Sequence, residues 1–356
     1  MTTTIPEPAH ASDDVFAHLE GVCAGRGLAT LAGKLSELRT WLADDLAEVE
    51  RALAAAGSGD TLAHQSVRHL LDQDGKRLRP ICVALAARVG SGFNAAARTY
   101  AVAVELVHNA TLLHDDVVDV GDVRRGYPAA RVVYGNAASI FGGDWLLIDA
   151  LGRIQTAGHP EVLSRMLEVI KEMVIAESLQ LARRGRVRGG ASEYFRIIEG
   201  KTAALFRWAM FAGARAGGVD PELAGALETF GQKLGVAFQL VDDLLDFAGD
   251  PAATGKALLT DLREGKMTYP LILAMERDAA LAPALERFCA AEDGAIDPDL
   301  GAHIARTMEA AGVSDDCLAL ATKLCREAIK SLSVLPPGRA RSSLESVALS
   351  VPRRRR

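Results

Sequence analysis

The chain has 356 residues, of which 49% are apolar and 24% charged. That balance excludes a disordered polymer and is enough to bury a large core. Acidic side chains outnumber basic ones, 46 to 40, for a net charge of −6, so the molecule as a whole is not built to coat nucleic acid.

Aromatic residues are only 5% of the chain, and Ala and Leu carry much of the apolar share, which favours helix over sheet. The stretch from Met1 to Asp14 is polar and has no apolar signal core, and no apolar run reaches the roughly 18 residues a bilayer span needs. The expectation is a cytoplasmic protein: a loose N-terminal extension over 1–28, then one all-α domain over 29–356. Five cysteines without a C-x-x-C pair (Cys23, Cys82, Cys289, Cys317, Cys325) read as buried free thiols in a reducing compartment.

Leu31, Leu35, Leu38, Leu42, Leu46, Val49 and Leu53 recur every three or four residues and predict a helix that Gly57-Ser58-Gly59 ends. Pro80 sits where a first helical turn tolerates it, ahead of a helix to Gly90. A long periodic segment over 95–119 precedes a loop over 120–128. Helical period then returns over 137–157, 161–182, 192–216, 221–247, 266–275 and 315–334. No stretch alternates every second residue for long, so no strand is predicted.

Two of these helices end alike, in His114-Asp115-Asp116-Val117-Val118-Asp119 and in Val241-Asp242-Asp243-Leu244-Leu245-Asp246-Phe247. Asp115 and Asp119 stand one turn apart on one face, as do Asp242 and Asp246. Like charges at that spacing repel, and a helix C-terminus is the wrong pole for carboxylates. A divalent cation explains why an apolar helix carries them. The donors are all oxygen, with no His or Cys at ligand spacing, which points to a hard ion such as Mg²⁺ completed by water and substrate phosphate. The alternative for each motif alone is a solvated helix end.

Phosphate oxygens beyond the metal need cations. Candidates stand in Gly75-Lys76-Arg77-Leu78-Arg79-Pro80, in Arg124-Arg125-Gly126, at Lys201-Thr202, and at Lys256 and Lys266. Singly, each also reads as a surface charge. Arg183, Arg184, Arg186 and Arg188 in a Gly-punctuated loop, and Arg353 to Arg356 at the terminus, read as solvated, with at most a weak anionic-lipid contact.

The strings 110–119 with Arg124-Arg125-Gly126, Phe238-Gln239-Leu240-Val241-Asp242-Asp243-Leu244-Leu245-Asp246, Lys201-Thr202-Ala203 and 261–270 fall in an order that resembles the trans-isoprenyl diphosphate synthases. The nearest resemblance is to long-chain members of the octaprenyl type, over about residue 31 to the C-terminus. The resemblance implies a bundle of long helices around a central cavity, usually a homodimer. It implies Mg-dependent, head-to-tail condensation of isopentenyl diphosphate onto an allylic diphosphate, giving a long all-trans product of about C40 class, suited to a quinone side chain and to brief membrane contact. By the same resemblance Asp115, Asp119 and Asp242 would hold Mg²⁺, with Asp243 and Asp246 at the metal site and Asp116 as a supporting acid. Arg124, Lys201, Lys266 and Lys256 would hold the allylic diphosphate. Lys76, Arg79, His108 and Arg125 would hold isopentenyl diphosphate, and Thr202 and Gln239 would present oxygens to the allylic cation. His108 could instead be a core histidine.

Two positions depart from the family pattern: Asp74 stands before Gly75, and Leu259 replaces a usual Gly. One turn before Asp115 the residues Ala110 and Thr111 are small where short-chain members carry an aromatic, with Val107 and Val104 deeper on about the same face. This favours a long product. The alternatives are a farnesyl or geranylgeranyl synthase, a silent helical subunit and a terpene cyclase.

Overall fold

A computed structural model describes residues 29–73, 75–187, 189–248, 259–290 and 298–354. The N-terminal extension, Cys23, Asp74, Arg188, Lys256, Arg355 and Arg356 lie outside the described residues.

The expected leucine stripe forms the helix Ala29–Ala56 and turns Leu35, Leu38, Leu42, Val49 and Leu53 into the core. The helix Leu78–Ala87 carries Pro80 in its first turn, where the missing N–H had no partner to lose. Asn94 opens the helix Ala95–Val118 by accepting the Ala97 N–H at 2.9 Å. That helix packs against Asn136–Thr156, and Ala204–Ala216 lies across it and Leu78–Ala87. At the second crossing Gly213 faces the Val83 carbonyl so closely that a Cβ would collide with it, so the absence of a side chain sets the approach. Pro221–Ala248 packs on Ala204–Ala216 and on Val313–Ser331. One apolar cluster runs through these helices, with members from Ala32 to Val351. The free thiols of Cys82, Cys317 and Cys325 are buried in it, and Cys289 is half-buried.

The structure departs from the expected elements in four places. The segment predicted as one helix over 192–216 is Ala191–Ile198, a π-turn Glu199–Ala203, and Ala204–Ala216. The widened turn lets Gly200 sit against Ala176 and the Glu172 carbonyl of the helix Pro160–Arg183, where a Cβ has no room. The helix expected from Lys266 begins at Tyr269, since Gly265 takes a left-handed turn at φ 74. The loop over 120–128 contains a two-residue antiparallel ladder, Val123–Arg124 with Tyr127–Pro128. Helices at Leu62–Leu71, Leu281–Ala290, Pro298–Ala310 and Arg339–Ser350 were not expected.

Candidate active site

Both acidic motifs sit at the C-terminal ends of long helices, where the chain leaves the bundle. Asp115 lies 3.4 Å from the Lys201 ammonium, which also pairs with Glu177 and donates to Gln180 Oε1 at 2.9 Å. Lys201 comes from the π-turn, so that irregularity is what presents it to the first motif. Asp119 follows the last helical residue. Lys266 donates to its Oδ2 at 2.7 Å and Arg184 to its Oδ1. Burial alone would raise the Asp119 carboxyl, but Lys266, Lys201 and Arg184 outweigh it and hold the group below the usual carboxylate range. Asp116 is buried and accepts Arg124 Nε at 2.9 Å and Nη2 at 2.5 Å. It anchors the Arg124 loop and turns away from the other two acids. Burial pushes its carboxyl up even against that fork.

The second motif divides its labour in the same way. Asp242 remains nearly half exposed, at 45%, and Arg354 Nη2 lies 3.2 Å from it. Asp243 is buried between the Tyr194 hydroxyl, donating at 2.6 Å, and Gln239 Nε2, donating at 2.7 Å. Burial pushes its carboxyl up. Thr202 Oγ1 donates to Gln239 Oε1 at 2.7 Å, so Thr202, Gln239, Asp243 and Tyr194 form one chain of hydrogen bonds. Asp246 accepts the backbone N–H groups of Thr260 and Asp261, at 3.0 and 3.1 Å, and caps the short helix Thr260–Arg263. Asp243 and Asp246, expected at the metal site, both accept hydrogen bonds from within the fold. Leu259 before that helix adopts φ 61, the left-handed region that a glycine enters without strain.

A third group gathers around His108. Burial, then Arg79, Arg125, Arg124 and Arg77, push its imidazole well below the ordinary value, so it stands neutral at pH 7. Arg77, with a left-handed backbone, is a strut: it donates to Glu50 at 2.6 Å and to Glu105 at 3.0 Å. Arg79 lies over the Phe206 ring at 4.7 Å, and its buried Nε has no hydrogen-bond partner, which leaves a donor for an anion. Arg125 donates to the Gln73 carbonyl at 3.1 Å, and Lys76, three residues after Gln73, is half-buried.

An open pocket is lined by Gln180, Lys201, Thr202, Gln239, Asp243 and Lys266, among others. Five of these six were singled out in the sequence.

The two arginine runs are corrected by the structure. Arg184 reaches Asp119, Arg183 pairs with Glu193 at 2.6 Å, and Arg354 is 6% exposed, 4.0 Å above the Phe238 ring. Arg183, Arg184 and Arg354 are therefore not free in solvent, whereas Arg186 is exposed as expected. Tyr194, Glu177 and Gln180 were also missed. The last two share a helix face at i, i+3 spacing, which is a legible signal, whereas nothing in the sequence pairs Tyr194 with Asp243.

The donor set of Asp115, Asp119 and Asp242 suits a hard divalent ion. Among the described residues no three acidic or His/Cys side chains close into a cage.

A family model described as polyprenyl synthetase matches residues 60–296. The chain is 35% identical over 319 residues to the octaprenyl diphosphate synthase of Escherichia coli (strain K12), covering 88% of this chain and 97% of that protein. Its fold is similar to the crystal structure of a polyprenyl synthase from Caulobacter crescentus CB15 complexed with calcium and isoprenyl diphosphate. The TM-score is 0.84 and the identity 34%, over 90% of this chain and 98% of that one. A decaprenyl diphosphate synthase from Rhodobacter capsulatus gives TM-score 0.82 at 33% identity, over 90% and 99%.

Proposed function

The chain belongs to the polyprenyl synthetase family, and from that premise we propose that it is a long-chain trans-prenyltransferase that adds isopentenyl diphosphate repeatedly, head to tail, to an allylic diphosphate. The observation that carries the reading is the meeting of cations from three separate segments at Asp115 and Asp119. Lys201, Lys266 and Arg184 already stand where a metal-bound diphosphate would need them.

In the reaction the allylic C–O bond breaks and the diphosphate leaves with the electron pair. The double bond of isopentenyl diphosphate then attacks the allylic carbon, and a proton is lost to restore a double bond. Asp115, Asp119 and Asp242 would hold Mg²⁺, which would supply Lewis acidity toward a diphosphate when bound. Lys201, Lys266 and Arg124 hold its oxygens and stabilise the charge that develops on them. The Thr202 and Gln239 oxygens lie beside the place where the cation forms. Arg79, Arg125, Lys76 and neutral His108 orient the second diphosphate. The resemblance to the family implies that the departing diphosphate takes the proton. The P–O bonds of the diphosphate stay intact.

A homodimer is supported by an exposed apolar face. Phe141, Trp145 and Ile148 on the helix Asn136–Thr156 and Leu167, Val174 and Leu181 on Pro160–Arg183 are all 42% exposed or more. No described helix is long and apolar enough to cross a membrane. We place the protein in the cytoplasm, with its lipid product as the link to a membrane.

Purified protein given farnesyl diphosphate, isopentenyl diphosphate and Mg²⁺ should yield a ladder ending in one long polyprenyl diphosphate. Asp115→Ala and Asp242→Ala should abolish it. A ladder that survives both substitutions would overturn the proposal.

A further inference from the structure

The sequence offered the loop after Pro160–Arg183 as a solvated basic run, but the folded chain gives it a different place. The Asp119 side chain is only 7% exposed, and each of its oxygens is taken by one cation, Oδ2 by Lys266 at 2.7 Å and Oδ1 by Arg184. Lys266 belongs to the set proposed to hold the allylic diphosphate. Arg184 does on the opposite oxygen what Lys266 does on this one, so the two side chains share one reach.

The loop itself is fastened. Gly185 N–H donates to the Gly265 carbonyl at 2.9 Å, and the Arg184 N–H donates to the Leu181 carbonyl at 3.2 Å. Arg184 also donates through Nη1 to the Val118 carbonyl at 3.1 Å, and its side chain is 31% exposed. A guanidinium displaced from Asp119 can therefore travel only by rotating its own side-chain bonds. It stays beside Lys266, with its planar fork free for two phosphate oxygens. Arg183 cannot do the same, being held on Glu193.

We propose that Arg184 is an exchangeable counter-charge. It occupies Asp119 in the ligand-free enzyme, gives that oxygen to the incoming divalent cation, and takes up an oxygen of the allylic diphosphate instead. The proposal rests on the reading above that Asp119 faces the metal. Its physical content is a coupling between two ligands. A divalent ion arriving alone must displace Arg184 and meets Lys201 and Lys266, all of the same sign. When it arrives with a diphosphate, those three cations find new partners. Arg184 thus weakens metal binding on its own and strengthens diphosphate binding, so that the two enter together.

The test is binding rather than turnover. Mn²⁺ titration of the ligand-free protein, followed by electron paramagnetic resonance, is compared with calorimetric titration of inorganic pyrophosphate in saturating Mg²⁺. Arg184→Gln should bind Mn²⁺ alone about fivefold more tightly, the scale of one partly exposed ion pair, and pyrophosphate about tenfold more weakly. Arg184→Lys, which keeps the charge, should stay close to the parent protein in the first measurement and lose part of the second. Unchanged or weaker Mn²⁺ affinity in Arg184→Gln, or unchanged pyrophosphate affinity, overturns the proposal. Asp119→Asn separates the two levels of the argument. If it leaves Mn²⁺ binding intact, the metal reading of Asp119 fails and this proposal with it. If it weakens Mn²⁺ binding while Arg184→Gln does not tighten it, only the counter-charge fails.

Discussion

Thr111→Phe should shorten the product without weakening the fold. Thr111 stands four residues before Asp115 on the same helix, about 6 Å nearer its N-terminus and on the same face. Its side chain is half-buried, and its hydroxyl only bonds back to the His108 carbonyl at 2.7 Å, so the core does not depend on it. One helical turn, about 5.4 Å, is close to the length of one extended isoprene unit. A phenyl ring at 111 therefore places the floor one or two units below the reacting carbon, and the ladder should stop at about C15 to C20 on that spacing. Val107 makes the contrast. It lies one further turn down but is 1% exposed within the packed cluster, so Val107→Phe must overpack the core and should cost about 1–3 kcal/mol. Product analysis by reverse-phase chromatography and mass spectrometry, beside urea denaturation of both variants, checks the two halves. A folded, active Thr111→Phe enzyme with an unchanged product spectrum would refute the expectation that the growing chain runs past Thr111 on this helix face.

Two further outcomes follow from particular contacts. Tyr194→Phe removes one of the two donors to buried Asp243 and should cost about 1–3 kcal/mol in urea denaturation. It should also lower kcat by loosening Gln239 and Thr202, with the KM for isopentenyl diphosphate little changed; a variant equal to the parent in both would show that Asp243 does not need the phenol. His108 has a folded pKa well below its ordinary value of 6.5, first through burial and then through Arg79, Arg125, Arg124 and Arg77. As pH falls below about 6.5 the unfolded chain binds that proton first, so stability is lost by up to about 1.4 kcal/mol per pH unit. His108→Gln should remove this share of the acid lability between pH 6.5 and 5, measured as a shallower fall of unfolding free energy; parallel slopes would mean that the imidazole protonates freely in the folded state.

The all-α class, the ends of the long helices and the two acidic faces were readable in the chain itself. Apolar period and i, i+4 spacing are local properties, and a helix of twenty or more residues repeats its signal several times. The helices Leu62–Leu71 and Arg339–Ser350 repeat it only two or three times and, unlike Leu78–Ala87 and Tyr269–Arg277, carry no proline in the first turn to mark a start. The π-turn escaped because Gly200 widens the helix only in answer to Ala176 and Glu172 on another element.

The same division holds within the site. The residue types of the two motifs declared an oxygen-donor centre and its cationic complement. Which partner each acid takes was decided by the fold: Asp116 and Asp243 turn inward to Arg124, Tyr194 and Gln239, while Asp115, Asp119 and Asp242 meet Lys201, Lys266, Arg184 and Arg354. Arg184 and Arg354 find their acids 65 and 112 residues away. No periodicity reaches across such a separation, because the distance between two charges there depends on how whole helices pack and not on the bonds between neighbouring residues.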